Sequence, residues 1–221
     1  MSVFSRLSRT SRERKLELFT AIMKPCAHEK VLDLGAQVST NPMDVQLIDS
    51  YPWKENITAA NISQDLLDAI KRRYPEVKTE VADARHLPWP DQCFDIVFSN
   101  AVIEHVGGDA DQRQMASEIM RVGKRWFVTT PNRRYPFEFH MRLPFVTWLP
   151  GDSYLRFSRI VHYSAHQRKY VFGSRYGGSL RLLSARDLKR CFPGSRIIKQ
   201  RVTIMAETLI AVGPVGRDRC G

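Results

Sequence analysis

The sequence predicts an α/β fold: a doubly wound, mostly parallel sheet with helices on both faces and an antiparallel final strand. Three observations predict it. The apolar stretch Val31-Leu32-Asp33-Leu34 is short, reads as a buried strand from Lys30 and stops at Gly35, the pattern of a strand that turns sharply into a helix at a ligand crevice. Strand-like and helix-like segments then alternate to about residue 130 with connections of a few residues, as a parallel sheet flanked by helices requires. Finally, Arg196–Thr203 and Glu207–Val212 are two strand-like runs separated too briefly for a crossover, so they pair antiparallel.

Residues 1–10 are rich in Ser and Arg and read as loose. From Ser11, Leu16, Leu18, Phe19, Ile22 and Met23 recur at helical spacing, predicting a helix to Lys24 that Pro25 stops. Its basic first turn, Arg12, Arg14 and Lys15, opposes the helix dipole and suggests that these charges serve another purpose. After the Gly35 turn, Asn41-Pro42 reads as a cap and first helical position, with Val45, Leu47 and Ile48 as the apolar stripe. Asn56–Ile62 is a second strand. Ser63 caps a helix that carries Leu66, Leu67 and Ile70 inward and ends in Lys71, Arg72 and Arg73, as the dipole prefers. Val77–Val81 is a third strand, followed directly by Asp83. Phe94–Ser99 is a nearly continuous apolar strand, buried on both faces. Met115, Ile119, Met120 and Val122 mark a helix, and Arg125–Thr130 a fifth strand. The rhythm breaks after Pro131: residues 132–180 are dense in Arg, Phe, Tyr, His and Pro and read as an insertion with short helices. A helix capped by Ser184 runs to Cys191.

The predicted organisation is a basic N-terminal segment and covering helix (1–24), a ligand-binding core (25–132), the basic and aromatic insertion (133–180), and a helix with the closing strands of the core (181–221). The 221 residues are 43% hydrophobic and 26% charged, ordinary for a globular domain with a real core. No apolar run is long enough to span a bilayer and the N-terminus has no signal-like apolar segment, so a cytoplasmic protein is expected. The four cysteines, Cys26, Cys93, Cys191 and Cys220, lack the paired spacing of a metal site and read as reduced thiols. The net charge of +11 directs attention to anionic partners: a phosphorylated substrate, an anionic membrane surface or nucleic acid.

Several separated segments resemble one family. Val31-Leu32-Asp33-Leu34-Gly35 resembles the first motif of class I S-adenosylmethionine-dependent methyltransferases. Thr58-Ala59-Ala60-Asn61-Ile62-Ser63 is similar to their second strand end, and Ala82-Asp83-Ala84-Arg85-His86-Leu87-Pro88 to their adenine-side loop. The run Phe94-Asp95-Ile96-Val97-Phe98-Ser99-Asn100-Ala101-Val102-Ile103-Glu104-His105-Val106 resembles the fourth-strand motif of the group that includes the ubiquinone and menaquinone biosynthesis methyltransferases, and Glu118–Val122 and Thr129–Arg133 fit that group's next helix and strand. The sequence departs from the pattern at two places. Ala36, Gln37, Val38 and Ser39 follow Gly35 where further glycines are usual, and Asn61 stands where an acidic residue is usual.

The resemblance implies a Rossmann-like sheet, S-adenosylmethionine as cofactor, and a role for each matched position. Gly35, Ala36 and Gln37 lie against the amino-acid tail and ribose, and Asp33 holds the tail's ammonium. Asn61 and Ile62 sit at the ribose. Asn61 is an uncharged substitute for a bidentate carboxylate, a loss of ~1.5–3 kcal/mol. Asp83 takes the adenine amine and the N–H of Ala84 a ring nitrogen. Asn100 and Ala101 line the methyl-transfer site with backbone carbonyls, which offer partial negative charge to a sulfonium. His105, just past the fourth strand, is a candidate base with a suitable ordinary pKa, and His140 in the insertion is a second candidate. For each there is a plainer structural reading: Asp33 capping the turn, Asn61 capping the next helix, and His105 bonding the loop at Gly107-Gly108. No metal is implied.

The insertion from Tyr135 to Tyr176 is the expected acceptor pocket or lid. Phe137, Phe139, Leu143, Phe145, Trp148 and Leu149 form an apolar set among Arg133, Arg134, Arg142, Arg156, Arg159, Arg168 and Lys169, which suits a lipid-linked or phosphorylated acceptor and peripheral contact with an anionic membrane. Ordinary core packing with solvated arginines is the plainer reading. Nucleic acid is the competing partner, but Asn100-Ala101-Val102-Ile103 is not the Asn-Pro-Pro-Tyr type of motif used to methylate nucleic-acid amino groups, and favours O- or C-methylation of a small, sugar or lipid-linked acceptor. The alternatives are a non-catalytic binding or scaffolding protein on the same fold, an RNA methyltransferase and, most distantly, a nicotinamide-dependent oxidoreductase, for which the glycine fingerprint is missing.

Overall fold

A computed structural model of the chain describes residues 3–39, 45–138, 143–149, 161–164, 169–172, 180–201 and 203–214. Among them the central element is a seven-stranded sheet. Its strands are β1 (Val31–Leu34), β2 (Ile57–Asn61), β3 (Lys78–Val81), β4 (Ile96–Asn100), β5 (Trp126–Pro131), β10 (Arg196–Arg201) and β11 (Ala206–Val212). The spatial order is β10-β11-β5-β4-β1-β2-β3. β1 pairs in parallel with β2 and β4, β2 with β3, and β4 with β5. β11 alone runs antiparallel to both of its neighbours, β5 and β10. Strand order reverses beside β1, between β2 on one side and β4 on the other, so a crevice opens beyond their carboxyl ends.

The sheet's two faces follow from alternation along each strand. Val31, Ile57, Ile96, Phe98, Phe127 and Ile210 face one core, filled by Phe19 and Met23 of α1 (Val3–Met23), Ile48 of α2 (Leu47–Ser50), and Leu67 and Ile70 of α3 (Gln64–Arg73). Phe19 meets the rings of Phe98 and Phe127 edge-on at 5.1 and 5.5 Å. Leu32, Leu34, Val97, Val128 and Leu209 face the opposite core with Met115 and Ile119 of α4 (Asp109–Val122) and Leu188 of α5 (Ala185–Cys191). Ser184 caps α5 as its sequence predicts: its Oγ accepts from the N–H of Asp187, whose carboxylate accepts from the N–H of Ser184.

Several expectations need correction. Helix α1 begins at Val3, not Ser11. The Ser- and Arg-rich start contains no glycine or proline to break it, and Arg9 pairs with Glu13 one turn on, at 2.6 Å. Arg12, Arg14 and Lys15 therefore lie mid-helix, and the dipole argument against them falls away. The described part of α2 is a single turn; Asn41 and Pro42 lie outside the described residues. Within the insertion the described residues add strands to the expected short helices: β6 (Phe137–Glu138) pairs with β7 (Leu143–Pro144), and β8 (Val161–Ser164) with β9 (Lys169–Phe172). The aromatic and β-branched residues there favour extended backbone. Among its described residues Val146–Trp148 is helical, as a 3-10 turn. Cys26 is disulfide-bonded, which corrects its reading as a reduced thiol; Cys93 and Cys191 are free.

Candidate active site

A cavity of about 410 Å³ opens at the carboxyl ends of β1, β2 and β4. Gly35, Gln37, Asn61, Ile62, Asp83, Ala84, Asn100, Ala101 and His105 all line it, as do Arg85, Val102 and Val106. Residues read as one site from four separate stretches of sequence therefore converge. Two do not reach the wall. Asp33 and Ala36 are buried beneath it, 5% and 3% exposed. His140 lies outside the described residues.

The β1 turn is held by β2. The N–H groups of Gly35 and Ala36 both donate to the carbonyl of Ala60, at 2.8 and 3.2 Å. Gly35 takes φ of +85°, and a Cβ there would fall 2.2 Å from Cγ2 of Val102, so the position requires glycine on two grounds. Asn61 secures the same turn. Its Nδ2 donates to the carbonyl of Ala36 at 2.8 Å and its Oδ1 accepts from the N–H of Ser63 at 3.0 Å. Asn61 thus does not cap α3, whose N-cap is Ser63; it braces the N–H of that residue and the β1 turn, and it also stands on the cavity wall. Asp33 is governed by its burial, which alone pushes its carboxyl up to about 7.

Asp83, on the loop after β3, meets the guanidinium of Arg85. Nη2 lies 2.7 Å from Oδ2, and Nε lies 3.0 and 3.1 Å from the two oxygens. That pairing holds the Asp83 carboxyl below its ordinary range. At the end of β4, Ala101 sits in the left-handed region with φ of 57°, a conformation that costs a residue with a Cβ about 1–2 kcal/mol. Its N–H donates to the carbonyl of Thr129 at 3.0 Å, which ties the bend to β5.

Sequence reasoning missed the residues behind Asn100. The Oδ1 of Asn100 accepts from Thr129 Oγ1 at 2.7 Å and from Lys15 Nζ at 2.9 Å. Two donors on one oxygen fix the orientation of the amide. The Lys15 ammonium is lowered to about 8, first by burial and then by Arg12, while Glu104 and Glu207 act the other way. Glu104 is fully buried and accepts from Thr130 Oγ1 at 3.0 Å. The one available signal was the cluster of charges on α1 that had no evident helical reason.

Residues 32–126 match the family model of a methyltransferase domain. A Mycolicibacterium smegmatis protein described as an S-adenosylmethionine-dependent methyltransferase is 40% identical over 67 residues, covering 29% of this chain and 25% of its own length. A Mycobacterium tuberculosis protein of the same description is 30% identical over 77 residues, covering 35% of this chain and 28% of its own length. The matched stretch thus spans about a quarter of these curated relatives. Among solved structures, a Pyrococcus horikoshii protein superposes with a TM-score of 0.58 at 20% identity, covering 94% of this chain and 91% of its own. A Mesorhizobium loti S-adenosylmethionine-dependent methyltransferase gives 0.57 at 13% identity, covering 93% and 98%. The cyclase SpnF gives 0.58 at 17% identity, covering 92% and 82%. These likenesses establish the Rossmann-like methyltransferase fold.

Proposed function

We propose that this chain is an S-adenosylmethionine-dependent methyltransferase whose cofactor occupies the cavity beyond β1, β2 and β4. The observation that carries the reading is the convergence of the Gly35 turn, Asn61, Asp83 and Asn100 around one opening at the switch in strand order. The residues fit such a cofactor. The volume of about 410 Å³ suits a nucleoside with an amino-acid tail, and the glycine at the narrowest turn leaves no room for a Cβ. Bound there, the cofactor supplies an activated methyl group. The chain's own residues bind and align: Asp83 and Ala84 at the adenine, Asn61 and Ile62 at the ribose, Gly35 and Gln37 along the tail with Ala36 and Asp33 beneath, and Asn100 and Ala101 at the methyl. His105, on the wall, is the candidate base of this site.

The acceptor in this proposal is a small molecule, a sugar or a lipid-linked intermediate, methylated on oxygen or carbon. Phe145 and Trp148 are 57% and 54% exposed beside Arg134, whose carbonyl accepts from Trp148 Nε1 at 3.1 Å. That mixture of aromatic surface and cations supports a phosphorylated or lipid-linked acceptor and a cytoplasmic protein touching the inner membrane face. No helix among the described residues is long and apolar enough to cross a membrane.

A second reading, a non-catalytic binding or scaffolding protein that kept the fold and lost the cofactor site, is favoured by one observation: the N–H groups of Gly35 and Ala36 and both ends of the Asn61 amide are already engaged within the chain. Calorimetric titration with S-adenosylmethionine and S-adenosylhomocysteine separates the two. Micromolar binding, lost in Asp83→Ala, supports the enzyme. Folded protein that gives neither heat nor thermal shift at millimolar ligand leaves the second reading.

A further inference from the structure

Lys15 is not used by the function proposed above, yet it stands at the site. It belongs to α1, which packs on the sheet through Phe19, so that residues one turn earlier reach the carboxyl end of β4. Asn100 is a shared wall. One side lines the cofactor cavity, and the other faces a small crevice lined by Arg12, Lys15, Leu16, Gln46 and Phe98. The Lys15 Nζ to Asn100 Oδ1 bond of 2.9 Å therefore places an ammonium one side chain away from the end of the cavity where the cofactor's reactive group belongs.

We propose that Lys15 makes this site sensitive to the charge of its ligand: its ammonium opposes a sulfonium across Asn100 and is indifferent to a neutral thioether, so the sulfonium enters with release of the Lys15 proton. The inference rests on the cofactor reading above. Unit charges separated by one side chain repel appreciably inside a protein, and a lysine withdrawn from water gives up its proton at modest cost. The charged groups facing Lys15 are Arg12 from its own helix, Glu104 from the turn after β4, and Glu207 from β11. Arg12 and burial favour the free amine; the two carboxylates favour the ammonium, and the balance leaves Lys15 at about 8. Proton release then leaves an uncharged amine beside Asn100, where an ammonium would oppose a positively charged methyl donor.

The test is a binding measurement that needs no acceptor. Affinities for S-adenosylmethionine and S-adenosylhomocysteine are measured by calorimetry from pH 6.5 to 9 in the full chain, in Lys15→Met, in Lys15→Arg and in His105→Ala. Titration of the ligands' own amino groups is common to all four proteins, as is any change at Asp33 on binding the tail that both ligands carry. In the full chain, the affinity ratio of sulfonium to thioether is expected to rise with pH by on the order of tenfold more than in Lys15→Met. Lys15→Arg keeps its charge throughout, and its ratio is expected to stay low without that rise. A rise that persists in Lys15→Met, or that vanishes in His105→Ala, overturns the assignment while leaving the cofactor reading intact. Absence of binding by either ligand overturns both.

Discussion

The guanidinium of Arg85 grips the carboxylate of Asp83 in a fork, with Nη2 2.7 Å from Oδ2 and Nε 3.0 Å from Oδ1. Its Nη1 reaches Asp111 Oδ1 at 3.2 Å. The pair is partly exposed and contributes little to folding. Its effect is to hold one orientation of a charged acceptor on the cavity wall. Asp83→Asn is expected to weaken S-adenosylmethionine binding about 10- to 100-fold, the loss of a charge-assisted hydrogen bond. Arg85→Ala keeps the carboxylate but frees it, and is expected to weaken binding by about tenfold or less. Calorimetry at fixed salt checks both; equal affinities in all three proteins would remove Asp83 from the site.

Gly35 and Val102 are pressed together across the mouth of the cavity. Gly35→Ala places a Cβ 2.2 Å from Val102 Cγ2 at φ of +85°. The conformation alone costs about 1–2 kcal/mol, and the steric overlap adds about 1–3 kcal/mol. Urea unfolding of Gly35→Ala is expected to show a loss of about 2–5 kcal/mol. Adding Val102→Ala removes the overlapping methyl, so the double variant is expected to recover more than the two separate losses predict. Strict additivity would mean that the turn moves away instead.

Much of this was legible in the sequence, for local reasons. Val31–Leu34, Asp33 apart, and Ile96–Phe98 are apolar runs because each is covered on both faces. Ser184 announced its helix because a cap bonds within one turn. The last two strands were readable as antiparallel because their connection is too short for a crossover. Val3–Thr10 was not legible, since Val3, Phe4 and Leu7 are too few among Ser and Arg to mark a helical period. The insertion's strands have no such period either. Lys15 was hidden for a different reason: its partner Asn100 is 85 residues away, and only the docking of α1 on the sheet brings them together. Asn61 was readable as an odd residue in its place, but its bond to the Ala36 carbonyl belongs to the pairing of β1 with β2.

Asp33 gives the fold a pH dependence whose sign can be worked out. Its carboxyl titrates at about 7 in the folded chain because it is buried within β1, against about 3.9 when unfolded. Below pH 4 both states are protonated and the group has no effect. Between pH 4 and 7 the unfolded chain ionises while the folded chain keeps its proton, so stability falls as pH rises; above 7 the loss is complete. Urea unfolding is therefore expected to show wild type losing about 2–4 kcal/mol more than Asp33→Asn between pH 5 and pH 8. The ammonium of a bound cofactor tail would favour the ionised carboxylate, so saturating S-adenosylhomocysteine is expected to shrink that difference. A wild type that instead gains on Asp33→Asn over this range would show the carboxylate ionised and paired in the free protein.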